Sequence, residues 1–173
     1  MSSFKLLGVI LSQDLTWTAH CDYIVKKASR RLYALRQLRK CGVSTSDIVK
    51  VYCSLIRSIL EYASVVFADL PEYLCNILER VQKRTLAIIF PDASYDQALA
   101  KADLTSLGSR RLEACSKFIN NINLDNPLYG LISSLHVARV PTYSLRSGVR
   151  SVLKPVRTNR FANFITYKYG AQL

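Results

Sequence analysis

Residues 18–42, TAHCDYIVKKASRRLYALRQLRKCG, decide how this chain is read. From Thr18, a residue suited to an N-cap, Cys21, Ile24, Val25, Ala28, Leu32, Leu35 and Leu38 recur at the three- and four-residue steps of one helix face until Gly42 stops the pattern. The spacing predicts a long amphipathic helix. On the opposite side Lys26, Arg30, Tyr33, Gln37 and Lys40 follow steps of four, three, four and three, with Lys27 and Arg31 flanking them. Between Ala19 and Lys40 there are seven basic residues and one acidic one, whereas an ordinary solvated face mixes signs so that charges pair. A row of cations at successive helical turns suits phosphate oxygens, and Tyr33 is placed to contact a sugar or a base.

Downstream, Ser44, Thr45 and Ser46 offer new caps, and Ile48, Val51, Tyr52, Leu55, Ile56, Ile59 and Leu60 form the broad apolar stripe of a central helix. Pro71 suits a first helical turn, and Leu74, Ile77, Leu78, Val81 and Ile88 line one face before Pro91 ends the third helix. Its Arg80, Lys83 and Arg84 point away from that face, so two helices can present cations to one ligand. A short helix over 95–102 follows, then another carrying Leu107, Leu112, Cys115, Phe118, Ile119 and Ile122. Upstream, Phe4 to Leu11 is β-rich. The turn-prone Ser12, Gln13 and Asp14 follow it and lead to Leu15, Thr16 and Trp17, which predicts a short hairpin entering the first helix. The fold class is therefore mainly α: a helical bundle with a short N-terminal β-hairpin and an extended basic C-terminal tail. Its expected core lies around Leu32, Leu35, Leu55, Ile59, Leu78 and Val81.

Composition points to polyanions. The 173 residues carry 24 Lys and Arg against 12 Asp and Glu, a net charge of +12. From 136 to the end there are seven basic residues, among them Arg157 and Arg160, and no acidic one. Pro141, Pro155 and Gly148 interrupt any helical period there, so this tail is expected to be loosely ordered when unbound. Five scattered cysteines without a Cys-x-x-Cys pair argue against a zinc site or a disulfide framework. No apolar run reaches the roughly 18 residues of a membrane span. The expectation is a soluble intracellular protein, nuclear or cytoplasmic, with no membrane partner, no cofactor and no metal.

Five blocks occur in order: FKLLGVILSQDLTW, YIVKKASRRLYALRQLRKCGV, VYCSLIRSILEYASVVF, LERVQKRTLAIIFPDASYDQAL and RTNRFANFITYKYG. Together they resemble the C-terminal part of non-LTR (LINE-type) retrotransposon reverse transcriptases, over nearly the whole chain. The resemblance implies that 1–17, with Leu7, Gly8 and Val9, is a primer-grip-like hairpin, that 18–135 is a thumb-like helical domain, and that 136–173 is the basic C-terminal tail. Ser58 and Phe67 stand where related sequences often have Pro and Trp.

A thumb holds primer–template duplex by its backbone while the palm does the chemistry, so the resemblance implies RNA or RNA–DNA duplex as partner. The family's Tyr-x-Asp-Asp type motif is absent and no two acidic residues are adjacent, while Asp14, Asp22, Asp47 and Asp69 read as turn or cap residues. Nucleotidyl transfer by two metals needs clustered carboxylates. The chain, which starts just before the primer-grip-like block, is thus expected to be a noncatalytic nucleic-acid-binding fragment with no catalytic residues and no polymerase activity alone. The alternatives are a helical protein-interaction module, which includes docking a reverse transcriptase palm in trans, and one piece of a longer active reverse transcriptase.

Overall fold

In a computed structural model, which describes residues 3–122, 126–133, 136–139 and 150–153, the first element is an antiparallel hairpin. Strand β1 (Ser3–Leu6) pairs with β2 (Val9–Ser12), Phe4 opposite Leu11 and Leu6 opposite Val9. The turn is therefore at Leu7 and Gly8, not at Ser12 to Asp14 as the sequence suggests. Both turn residues have positive φ, 45° and 86°, which is the demand of a two-residue hairpin loop and is met without cost by Gly8 alone. The Tyr62 hydroxyl donates to the Leu7 carbonyl at 2.9 Å, and a Cβ on Gly8 would come 3.2 Å from the Tyr62 ring.

The rest of the described chain is mainly helical. Helix α1 (Thr18–Lys40) begins one residue earlier than its sequence cap predicts: Trp17 occupies the cap position with no side-chain bond, and Thr18 is the first helical residue. Helix α2 (Thr45–Tyr52) is capped as expected, with Ser44 Oγ accepting from the Asp47 amide. A π-helical segment (Cys53–Arg57) and α3 (Ser58–Glu61) continue it. Pro71 caps α4 (Glu72–Ile89), and a full capping box of Ser94 and Gln97 opens α5 (Tyr95–Ala102). Helices α6 (Leu107–Asn120) and α7 (Pro127–Ser133) follow.

The chain divides into two compact units, Met1–Arg111 and Leu112–Leu173. In the second unit, Cys115, Ile119 and Ile122 are buried, but Leu112 and Phe118 are exposed members of the predicted stripe. Strands β3 (His136–Arg139) and β4 (Arg150–Leu153) pair antiparallel in the tail expected to be extended and loosely ordered. Two strands of four residues each, HVAR and RSVL, carry too little alternation to register as a sequence signal. The remainder of 136–173, with Arg157 and Arg160, lies outside the described residues.

The core of the first unit joins Cys21, Ile24, Ala28, Leu32 and Leu35 of α1 to Leu74, Leu78, Val81 and Ile89 of α4 over a row formed by Ile48, Tyr52, Ile56 and Leu60. That row is spaced by four residues throughout. An α-helix advances about 400° in four residues, so such a row drifts by about 40° per step and would turn out of the core. The wider π turn absorbs the drift. Its consequence is a correction to the predicted stripe: Leu55 is 42% exposed and Ile59 only half-buried, while Ile56 is fully buried.

Beneath this row the Gln82 amide is a buried hub. It accepts from the Tyr52 hydroxyl at 2.6 Å and donates to the Tyr95 hydroxyl and the Thr105 carbonyl, each at 3.0 Å. Tyr95 donates to Glu79, which also takes the Leu107 amide at 3.0 Å. Burial pushes both phenols upward, so they remain donors at any physiological pH. The register shift is tested by truncation. Ile56→Ala should cost about 2–5 kcal/mol in urea unfolding and Leu55→Ala less than about 1 kcal/mol. Equal losses would mean that the stripe keeps plain α-helical register.

Candidate nucleic-acid interface

Helices α1 and α4 lie side by side and parallel. Near their starts the Thr18 and Tyr73 hydroxyls are 3.2 Å apart, and near their ends the Arg39 guanidinium donates to the Ile88 carbonyl. The second-helix row underlies both: Arg31 donates to the Leu55 carbonyl at 2.7 Å from α1, and Gln82 of α4 holds Tyr52. Side chains that turn away from this row therefore emerge on one common side of the α1–α4 layer. On α1 these are Lys26, Arg30, Tyr33 and Lys40, all exposed, with Gln37 half-buried among them. On α4 they are Arg80, Lys83 and Arg84, exposed opposite the buried Leu74, Leu78 and Val81. The structure thus brings these two sets of sequence candidates onto one face.

Other candidates are placed differently. Lys27 is exposed at the flank toward the hairpin, where its charge, after the nearer Lys5, helps hold the Tyr23 phenol below its ordinary range. Arg31 is committed to the Leu55 carbonyl on the inner flank, so its guanidinium serves packing rather than the outer face. Lys83 rests 5.1 Å from the centre of the Tyr95 ring. Arg36, exposed one turn beyond Tyr33, belongs with the face and was missed; steps of four and three from Lys26 pass over it. Asp22, read as a turn or cap residue, is an exposed helical residue one turn before Lys26 and marks the acidic end of the strip. Arg157 and Arg160 lie outside the described residues.

From Lys26 to Lys40 the strip spans about 21 Å at 1.5 Å per residue. That is the axial length of about six nucleotides of one strand. Exposed ammonium and guanidinium groups at this repeat, with no acid interleaved between Lys26 and Lys40, can meet several phosphate oxygens at once. Elsewhere, Asp14 closes a turn by accepting from the Thr16 amide at 3.1 Å. Hydrogen bonds from Ser12 and Thr16 hold its carboxyl down at about 2. Among the described residues no three His, Cys, Asp or Glu side chains converge to hold a metal ion. Nor is any described helix long and apolar enough to cross a membrane.

The hairpin docks on the start of α1. Ile10 donates its amide to His20 Nδ1 at 3.3 Å, and the His20 ring stacks edge-on with Trp17 and Phe67, its centroid 4.9 Å from that of Phe67. Val9 is buried and Trp17 half-buried, while Phe4, Leu6 and Leu7 remain exposed. His20 is buried, its Nε2 has no hydrogen-bond partner, and desolvation lowers its pKa.

A family model described as "Alkylated DNA repair protein alkB homolog 8, N-terminal" matches residues 17–51, which are α1 and most of α2. No curated protein and no solved structure matches the chain.

Because His20 binds a proton less readily folded than unfolded, its contribution is present above the ordinary histidine value of 6.5 and is lost as pH falls through that value toward the lower folded one. The urea midpoint should therefore drop between pH 7.5 and pH 5.5. His20→Gln, which keeps an acceptor without titrating, should show a smaller drop. An equal drop in both proteins would remove His20 from the pH dependence.

Proposed function

We propose that this chain is a noncatalytic nucleic-acid-binding fragment that grips RNA or RNA–DNA duplex by its phosphates, as the thumb of a LINE-type reverse transcriptase holds its primer–template. The observation that carries the reading is the common outer face of α1 and α4, where Lys26, Arg30, Lys40, Arg80, Lys83 and Arg84 are all exposed. Its chemistry is that of backbone contact: charge without base-reading geometry. Affinity should then fall steeply with salt and depend little on base sequence. The five sequence blocks and their order support the thumb assignment, and a parallel helical pair beneath a docked hairpin suits it.

A second reading has its own observation. Phe4, Leu6 and Leu7 leave an apolar edge on the hairpin, which suits docking of a further protein surface, such as a palm supplied in trans or by a longer polypeptide. The two readings separate on salt, since apolar docking is little affected by it.

Replacing Lys26, Arg30 and Lys40 together with Gln removes three phosphate contacts. The slope of log affinity against log salt for duplex should shrink by about two to three units, with the circular dichroism of the helices unchanged. Lys101→Gln with Lys117→Gln, both exposed and neither of them on α1 or α4, should change the slope less per charge removed. Equal change per charge at both sets would reduce the interface to general cationic attraction.

A further inference from the structure

Tyr33 stands in the middle of the basic strip with 65% of its surface exposed. Other exposed tyrosines of the first unit are engaged: Tyr62 donates to the Leu7 carbonyl, and Tyr73 shares a hydrogen bond with Thr18. The rings of Tyr23 and Tyr95 are each covered by a lysine. Among the described residues, Tyr33 has neither a partner for its hydroxyl nor a cation over its ring. Its helical neighbours at three residues on either side are Arg30 and Arg36, both exposed. A large flat ring is thus presented face-free to solvent between two guanidinium groups, on a strip about six nucleotides long.

Phosphate contact alone does not use such a ring. In a duplex the base faces are covered by their neighbours, and an aromatic side chain meets only sugars and groove edges. In an unpaired strand every base offers a face, and stacking adds to backbone contact. Resting on the nucleic-acid reading above, we propose that Tyr33 is a base-stacking site. The ligand preferred by this face is then a single strand, or a strand with at least one unpaired base, whose flanking phosphates lie on Lys26, Arg30 and Lys40.

The test uses the full chain and a ten-nucleotide single-stranded RNA carrying 2-aminopurine, beside the same sequence paired into duplex. Binding should quench the 2-aminopurine at one position of the strand, and Tyr33→Phe should preserve both the quench and the affinity. Tyr33→Ala should weaken single-strand binding roughly tenfold to hundredfold, abolish the quench at saturation and change duplex binding by less than about twofold. Lys26→Gln with Arg30→Gln should instead flatten the salt dependence while keeping the quench at saturation. Persistence of the quench in Tyr33→Ala, or equal weakening of strand and duplex, overturns the stacking site and leaves the phosphate-binding reading intact. Failure of the unaltered chain to bind either RNA overturns both.

Discussion

Near the end of α1 the Arg39 guanidinium closes on the Ile88 carbonyl, and near its start Thr18 meets Tyr73. Between these two points the apolar stripes of α1 and α4 share one core with the row Ile48, Tyr52, Ile56 and Leu60. The parallel pairing fixes which side of each helix is left for solvent. Rotating either helix by a quarter turn would bury a charged side chain and expose a leucine, each costing on the order of kilocalories per mole. The orientation of the basic residues is therefore a by-product of packing, enforced by the core and not by any contact among the cations themselves. Like charges on one face repel, and the buried stripes offset that repulsion.

The polar hub around Gln82 adds specificity to this arrangement. Tyr52, Tyr95 and the Thr105 carbonyl bond to Gln82, and Tyr95 and the Leu107 amide donate to Glu79, so that the second helix, α4, α5 and the start of α6 share a single hydrogen-bonded geometry. Removing one member would leave others buried without partners, which is more costly than the net worth of any single bond. On the outer side of the same unit, Glu61 is held by Arg110, with Arg57 3.9 Å away, so several of the chain's cations are spent on structure. Those on the outer face, apart from Lys83 over the Tyr95 ring, are the remainder that packing does not use.

Much of this was legible in residue order. The helical period of α1, the Pro71 and Pro91 limits of α4 and the Ser44 cap before α2 are local signals, and local signals survive tertiary packing. The π turn is not local in that sense. Leu55 and Ile56 are equally apolar neighbours, and only the fit of the whole row against α1 and α4 decides which of them goes inside. The hairpin turn was misplaced because Ser12 to Asp14 is richer in turn residues than Leu7–Gly8, although Gly8 supplies the conformation that a two-residue loop needs. In the candidate face, charge and period put Lys26, Arg30, Tyr33 and Lys40 on the side of α1 away from the apolar stripe, and all four are exposed. They could not reveal that Arg31 turns to the Leu55 carbonyl, because that acceptor comes from a distant segment.

The central claim is that one face of the α1–α4 layer meets the polyanion, and lysine-reactivity footprinting in the presence and absence of saturating RNA tests it most directly. Lys26, Lys40 and Lys83 are exposed on that face, and Lys50 and Lys101 are exposed on α2 and α5. The account predicts that RNA protects the first three from acylation and leaves the other two as reactive as in the free chain. Protection of Lys50 and Lys101 to the same degree as Lys26, Lys40 and Lys83 would contradict it.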